Sequence, residues 1–212
     1  MYKIIDNFLP KETQDELEKI VSSYQYSMSV GTVYEEYRKN LPFIKTLSNS
    51  DFNVIQLESK IVDGGSCVFP EEDEIYFRQI WNVFVKANIE DVVCNLSTSN
   101  DIVLMRMKSN VLPNHKKGLF GHIHHTPHID CVESDGFANI SCIYYVNDSD
   151  GPTVLYNEYS ADNPKKLTVF KKIPPKKGRL LAFHSNRYHT SSSPRRSQYR
   201  NIINMVFMPK QY

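Results

Sequence analysis

The alternation of apolar and polar positions changes period along this chain. Before residue 100 the clearest pattern is helical. Leu17, Ile20 and Val21 form one stripe behind the start signal Leu9-Pro10-Lys11-Glu12, with Pro near the first turn, and predict a helix through Ser23. A second helix is predicted over residues 71–88. Its apolar face is Ile75, Ile80, Trp81, Phe84 and Val85, and the acidic run Glu71, Glu72, Asp73 and Glu74 favours its N-terminus. Met1 to Phe8 predicts a short strand, Ser27 to Tyr37 an extended segment, and Asn53 to Lys60 a strand ended by Gly64-Gly65. Leu41 to Phe52 fits neither period.

From residue 101 the period becomes two. Strands are predicted over Ile102–Ser109, Phe137–Asn147, Thr153–Asn157, Leu167–Ile173, Arg179–His184 and Arg200–Met208. Asp148-Ser149-Asp150-Gly151-Pro152 and Pro174-Pro175-Lys176-Lys177-Gly178 are the turns between them. Residues 110–127 read as an irregular loop rich in His, Lys and Gly. Helices first and evenly spaced strands later predict an α+β, mainly β architecture: a double-stranded β-helix (jelly roll) with N-terminal helices packed outside. The expected organisation is one domain over 1–212, with 1–100 as support and 101–208 as the jelly-roll core.

Composition narrows the partners. A net charge of +1 gives no global field toward nucleic acid or membrane, and 13 Tyr with 11 Phe suit a β-rich protein. No apolar run reaches membrane-spanning length, and the N-terminus lacks the pattern of a signal peptide. Cys67, Cys94, Cys131 and Cys142 show no metal-binding or disulfide spacing and read as free thiols. The expected residence is cytoplasmic, in the host cytoplasm for a phage protein. Residues 165–200 carry eleven Lys and Arg and no Asp or Glu, a candidate track for a polyanion against solvated turns as the simpler reading.

Candidate chemistry centres on His128-Ile129-Asp130. On an extended chain, positions two apart project to one side, about 6–7 Å apart along the backbone. One further His would complete a facial triad of two His and one carboxylate, which suits Fe(II) and leaves three adjoining positions open. His189 is the choice, carried just past the strand Arg179–His184 by a short loop, Ser185 to Tyr188. His115, His122, His124 and His125 precede the triplet and form a rival cluster that could hold zinc; His184 reads as packed or hydrogen-bonded.

The surrounding segments follow a fixed order. His128-Ile129-Asp130 is an HxD motif, and Ile140-Ser141-Cys142-Ile143-Tyr144-Tyr145-Val146-Asn147 is similar to a T-C-I-Y-Y-L-N strand. Gly151-Pro152-Thr153 stands where a Gly-Gly-Thr occurs, and Gly178-Arg179-Leu180-Leu181-Ala182-Phe183-His184-Ser185 is similar to R-L-L-x-F-x-S. His189 and, eleven residues on, Arg200 at the head of Asn201-Ile202-Ile203-Asn204-Met205-Val206-Phe207 complete the series. Over residues 101–208 the chain thereby resembles the Fe(II)/2-oxoglutarate-dependent dioxygenase superfamily, and within it the prolyl 4-hydroxylase-like branch with its short phage and bacterial forms. Asp6-Asn7-Phe8-Leu9 before the first helix fits as well. The branch's Tyr-x-x-Gly before HxD has no counterpart in Arg106-Met107-Lys108-Ser109-Asn110-Val111-Leu112, and the residue replacing that Tyr is left open.

The resemblance implies Fe(II) held by His128, Asp130 and His189, and 2-oxoglutarate whose distal carboxylate meets Arg200 and a hydrogen bond from the Tyr145 hydroxyl. Arg195 and Arg196 are poorer candidates because they lie in a Ser/Pro loop, and Tyr144 because it points to the opposite face. O2 is the oxidant, with ascorbate an optional reductant. The implied activity is hydroxylation of a C–H bond in a prolyl residue of a peptide or protein. The alternatives are an oxygenase of nucleic acid or a small molecule, and a non-enzymatic zinc-binding cupin-like jelly roll. The loop before His128 and Tyr34 to Phe43 are the expected lids.

Overall fold

The computed structural model describes residues 1–22, 29–31, 56–63, 66–67, 74–97, 99, 101–114, 125–131 and 138–210. In chain order the elements are β1 (Tyr2–Ile5), α1 (Lys11–Val21), β2 (Ser29–Gly31), β3 (Gln56–Asp63), β4 (Ser66–Cys67), α2 (Glu74–Lys86), α3 (Ile89–Cys94) and β5 (Ile102–Pro113). Then come β6 (Ile140–Tyr145), β7 (Thr153–Tyr159), β8 (Val169–Ile173), β9 (Leu180–His184), β10 (Arg187–Ser191) and β11 (Tyr199–Pro209).

Two antiparallel sheets face each other. The larger has the order β1-β9-β6-β11-β5-β3-β2, with β4 paired to β3, and the smaller has the order β10-β7-β8. Their facing sides enclose Ile143, Tyr145, Leu181, Phe183 and Ile202 from the larger sheet and Leu155 and Ile173 from the smaller. The other side of the larger sheet presents Ile140, Cys142, Tyr144, Ile203, Met205 and Phe207 to Leu17, Ile80, Phe84 and Val93 of the helices. A strand covered on both faces has no solvent side, which is why β6 is buried at all six positions and reads as a continuous apolar run. This is the jelly roll with outer helices that the sequence predicts. No helix among the described residues is long and apolar enough to cross a membrane.

Several boundaries differ from the sequence reading. β5 does not end at Ser109 but runs to Pro113, because both its edges are paired: Tyr199↔Pro113 and Arg200↔Leu112 on β11, Leu57↔Val111 on β3. Residues 110–113 are therefore barrel wall rather than loop. The second helix stops at Lys86, Asn88 takes a left-handed conformation (φ 55°), and a new helix begins at Ile89. His189 lies within its own strand, β10, paired to Leu155 of β7, rather than after a four-residue loop. β7 extends to Tyr159.

Turn chemistry fixes the strands that carry the site. Gly178 has φ +78°, and its N–H donates to the Tyr145 carbonyl at 3.0 Å, which prolongs the β6–β9 pairing past Tyr145. Gly151 lies against the backbone of Ser192–Pro194, and a Cβ there would collide with the Ser192 carbonyl oxygen. The Asp150 carboxylate accepts the backbone N–H groups of Arg195, Arg196 and Ser197 at 3.0–3.3 Å, tying the turn before β7 to the turn before β11.

Candidate metal centre

The residues 125–131 add an extended segment to the free edge of β10. His128 and His189 form an isolated antiparallel bridge, with N–H to carbonyl distances of 2.9 Å in both directions. The His125 N–H donates to the Ser191 carbonyl at 2.8 Å and the Asp130 N–H to the Ser185 carbonyl at 2.9 Å. Backbone pairing alone thus brings residues sixty positions apart in the chain into one cluster. Metal-ligating atoms of His128, Asp130 and His189 all lie within 4.8 Å of one another.

Each ligand is oriented by a second contact. The Nδ1 of His128 is 3.0 Å from the Thr126 carbonyl oxygen and that of His189 is 3.1 Å from the Arg187 carbonyl oxygen. A carbonyl can only accept, so Nδ1 carries the proton in both rings and Nε2 keeps its lone pair. His189 Nε2 is 3.5 Å from Asp130 Oδ2, and Phe183 packs edge-on against the His189 ring at 4.8 Å. Asp130 is gripped from the larger sheet. Ser141 Oγ donates to its Oδ2 at 2.7 Å, Asn204 Nδ2 lies 3.5 Å from the same oxygen, and Arg106 Nη2 donates to Oδ1. Ser141 has one hydroxyl proton, so the 2.9 Å contact with Ser185 is donated by Ser185.

The protonation states suit a metal. Burial, and after it the neighbouring His189 ring, push His128 down to about 3. Burial also lowers His189. Burial, the largest single influence, would raise Asp130, but the Arg106 guanidinium, the neighbouring His189 and His128 and the Ser141 hydroxyl together outweigh it and hold the carboxyl well below the usual carboxylate range. Two neutral imidazoles and one ionised carboxylate are what a divalent transition metal requires of its ligands.

Deeper in the barrel Arg200 is 1% exposed. Its Nη2 donates to Thr153 Oγ1 at 2.7 Å, while Nε and Nη1 are buried without a hydrogen-bond partner among the described residues. Tyr145 also donates to Thr153 Oγ1, at 2.7 Å, rather than pointing its hydroxyl straight at an open site. With both its acceptor positions occupied, the Thr153 hydroxyl has its own proton left to donate. Two unbonded guanidinium nitrogens and one free hydroxyl proton make a pocket for a carboxylate, and a buried Arg with no counter-charge among the described residues is costly until an anion fills it. These residues fit 2-oxoglutarate. Arg195 and Arg196 do not compete: both lend backbone N–H groups to Asp150, and the Arg196 side chain is 89% exposed. Tyr144 faces the helices, edge-on to Phe84 at 5.2 Å.

Four contributors escaped the sequence reading: Thr153, Arg106, Ser141 and Asn204. Their shared signal is a polar residue at an inward position of an otherwise apolar strand. The other candidates fall away differently. His115, His122, His124 and the expected lid Tyr34 to Phe43 lie outside the described residues, and His125 is buried against β10. His184 packs edge-on to Tyr159 at 6.5 Å. Cys94, Cys131 and Cys142 form no disulfide among the described residues, and Cys131 accepts a bond from Asn139 at 3.3 Å. The basic run is broken up. Lys176 and Arg179 pair with Asp6, Lys177 with Asp15 and Glu18, and Arg187 stacks between the rings of Phe170 (4.2 Å) and Tyr159 (5.0 Å).

Residues 119–208 match the family model for the 2OG-Fe(II) oxygenase superfamily. This segment is similar to that superfamily. The ligand cluster suits Fe(II) and the pocket at Arg200 suits the carboxylate of 2-oxoglutarate. Among solved structures, a 2OG-Fe(II) oxygenase family oxidoreductase from Burkholderia pseudomallei superposes with TM-score 0.66 at 12% identity, covering 97% of this chain and 84% of its own. A prolyl hydroxylase from Trichoplax adhaerens, in complex with a hypoxia inducible factor oxygen degradation domain peptide fragment, gives 0.59 at 22%, covering 98% and 83%. The epimerase SnoN, in complex with Fe3+, alpha ketoglutarate and nogalamycin RO, gives 0.63 at 10%, covering 98% and 78%. At these identities the likeness establishes the fold, the double-stranded β-helix. No curated protein is similar in sequence.

Proposed function

We propose that the chain is a single oxygenase domain that hydroxylates a C–H bond of a prolyl residue in a peptide or protein, with His128, Asp130 and His189 holding Fe(II) and Arg200, Thr153 and Tyr145 holding 2-oxoglutarate. The observation that carries the assignment is the pairing of two features in one barrel. A three-residue ligand cluster lies in the same barrel as a buried Arg whose Nε and Nη1 have no partner among the described residues. A non-enzymatic zinc module has no use for that cation. With both cofactors bound, O2 and 2-oxoglutarate are consumed, succinate and CO2 are released, and one oxygen atom enters the substrate C–H bond. The chain's own contribution is to present two Nε2 lone pairs and one carboxylate oxygen, and to anchor the distal carboxylate so that the co-substrate's other end reaches the metal.

The prolyl reading rests on the resemblance of Ile140–Asn147 to the prolyl hydroxylase strand. The small-molecule alternative has the epimerase fold relative as its support. A screen of proline-containing peptides, small molecules and oligonucleotides, read by succinate release and by gain of one oxygen atom in mass, separates them. A peptide hydroxylated at proline bears out the proposal. Turnover confined to another class overturns the prolyl assignment, and no succinate under any condition overturns the activity.

A further inference from the structure

We propose that Arg106 is a positioning residue: it holds Asp130 as a ligand through one oxygen only and so preserves three adjoining coordination positions for co-substrate and O2. The inference rests on the metal site proposed above. Arg106 lies opposite Val206 in the β5–β11 register, and Asn204 and Ser141 reach the same carboxylate from neighbouring strands. The two oxygens of Asp130 are thereby made unequal. Oδ2 faces the His189 Nε2 at 3.5 Å and takes the Ser141 hydroxyl, while Oδ1 is capped by the Arg106 guanidinium.

An unrestrained carboxylate can chelate a metal through both oxygens. That would consume a position the co-substrate needs. Turning Oδ1 toward the metal here means surrendering a charge-assisted hydrogen bond. The Asp130 side chain is 4% exposed, so little water can replace that bond. Arg106 is 27% exposed along its side chain, yet its Nε is buried without a partner among the described residues. Among the described residues its guanidinium bonds to the candidate metal ligand, following the apolar strand opening Ile102-Val103-Leu104-Met105.

The test is anaerobic titration of Fe(II) and 2-oxoglutarate into wild type, Arg106→Ala, Arg106→Gln and Arg106→Lys, read by the visible charge-transfer band and by Fe(II) binding alone. The expected result is that Arg106→Ala still binds Fe(II). Its band is weakened, and the 2-oxoglutarate needed to reach it rises roughly tenfold or more. Lys, which keeps the charge and a donor, restores the band, and Gln does so only in part. If Arg106→Ala fails to fold, the Lys and Gln variants decide: equal bands overturn the proposal, and a band in Lys that exceeds Gln supports it. A wild-type band in Arg106→Ala, at wild-type 2-oxoglutarate concentration, overturns it outright. A wild type without a band sinks the cofactor assignment instead of this inference.

Discussion

At one end of the barrel each candidate metal ligand arrives already engaged, whereas deeper in it Arg200 keeps two nitrogens unbonded among the described residues. His128 and His189 are fixed by backbone carbonyls and Asp130 by Arg106, Ser141 and Asn204. Arg200 is engaged by Thr153 and by the Tyr145 hydroxyl, while its buried Nε and Nη1 have no partner among the described residues. The first arrangement presets geometry, so that a metal meets ligands already in place. The second leaves an electrostatic cost in the fold that an incoming carboxylate removes. One end is built for precision and the other for affinity, and substitutions should separate the two.

The largest effect is expected at the preset end. Asp130→Ala removes the only charged ligand of the cluster, and succinate formation should fall to background while the thermal transition persists. Retained turnover would remove Asp130 from the site. At the floor, Arg200→Leu should raise the KM for 2-oxoglutarate by about 10²-fold, the scale of charged hydrogen bonds lost. The same variant should melt at or above the wild-type temperature without ligand, because it deletes a buried cation, yet lose the upward shift that 2-oxoglutarate gives the wild type. A lower melting temperature in the ligand-free variant would mean that Arg200 supports the fold rather than waiting for an anion.

A smaller change should follow Thr153→Val, which keeps shape but removes the oxygen on which Tyr145 and Arg200 both donate. An increase in KM for 2-oxoglutarate of about fivefold to tenfold, with Fe(II) binding unchanged, is expected from one hydrogen bond. An unchanged KM would show that the hydroxyl does not reach the co-substrate. The smallest effect belongs to Asp150, outside both ends. Its three backbone N–H bonds override the cost of its burial and hold its pKa down to about 2. A depressed carboxyl contributes stability above its ordinary value near 3.8 that is lost as pH falls through about 2. Asp150→Ala should therefore lower the melting temperature at neutral pH and flatten the acid limb of the wild-type stability curve between those values.

The members of the candidate cluster were legible in the sequence because they sit in local patterns. His128 and Asp130 share a triplet, and His189 and Arg200 lie at or near strand starts. The faces of Tyr144 and Tyr145 also followed from period two. What stayed illegible depends on which strand lies beside which. Arg106 meets Asp130 only because β5 pairs with β11, and Tyr145 meets Thr153 only because two sheets close over Leu155 and Ile143. Asn110, Val111 and Leu112 look like loop because Asn110 opens a polar, Gly- and Pro-punctuated stretch; pairing on both edges overrides that signal. The basic run of residues 165–200 misled for the mirror reason. Its counter-charges Asp6, Asp15 and Glu18 come from the far end of the chain.

The measurement that bears most directly on the two-ended site is anaerobic titration of the wild-type protein with Fe(II) in the presence of 2-oxoglutarate, followed by its visible absorption. The account predicts a weak charge-transfer band that saturates at one Fe(II) per chain, is absent in Asp130→Ala, and in Arg200→Leu needs far more 2-oxoglutarate. A wild type that binds Fe(II) without developing the band, or a band that survives in Asp130→Ala, would contradict it.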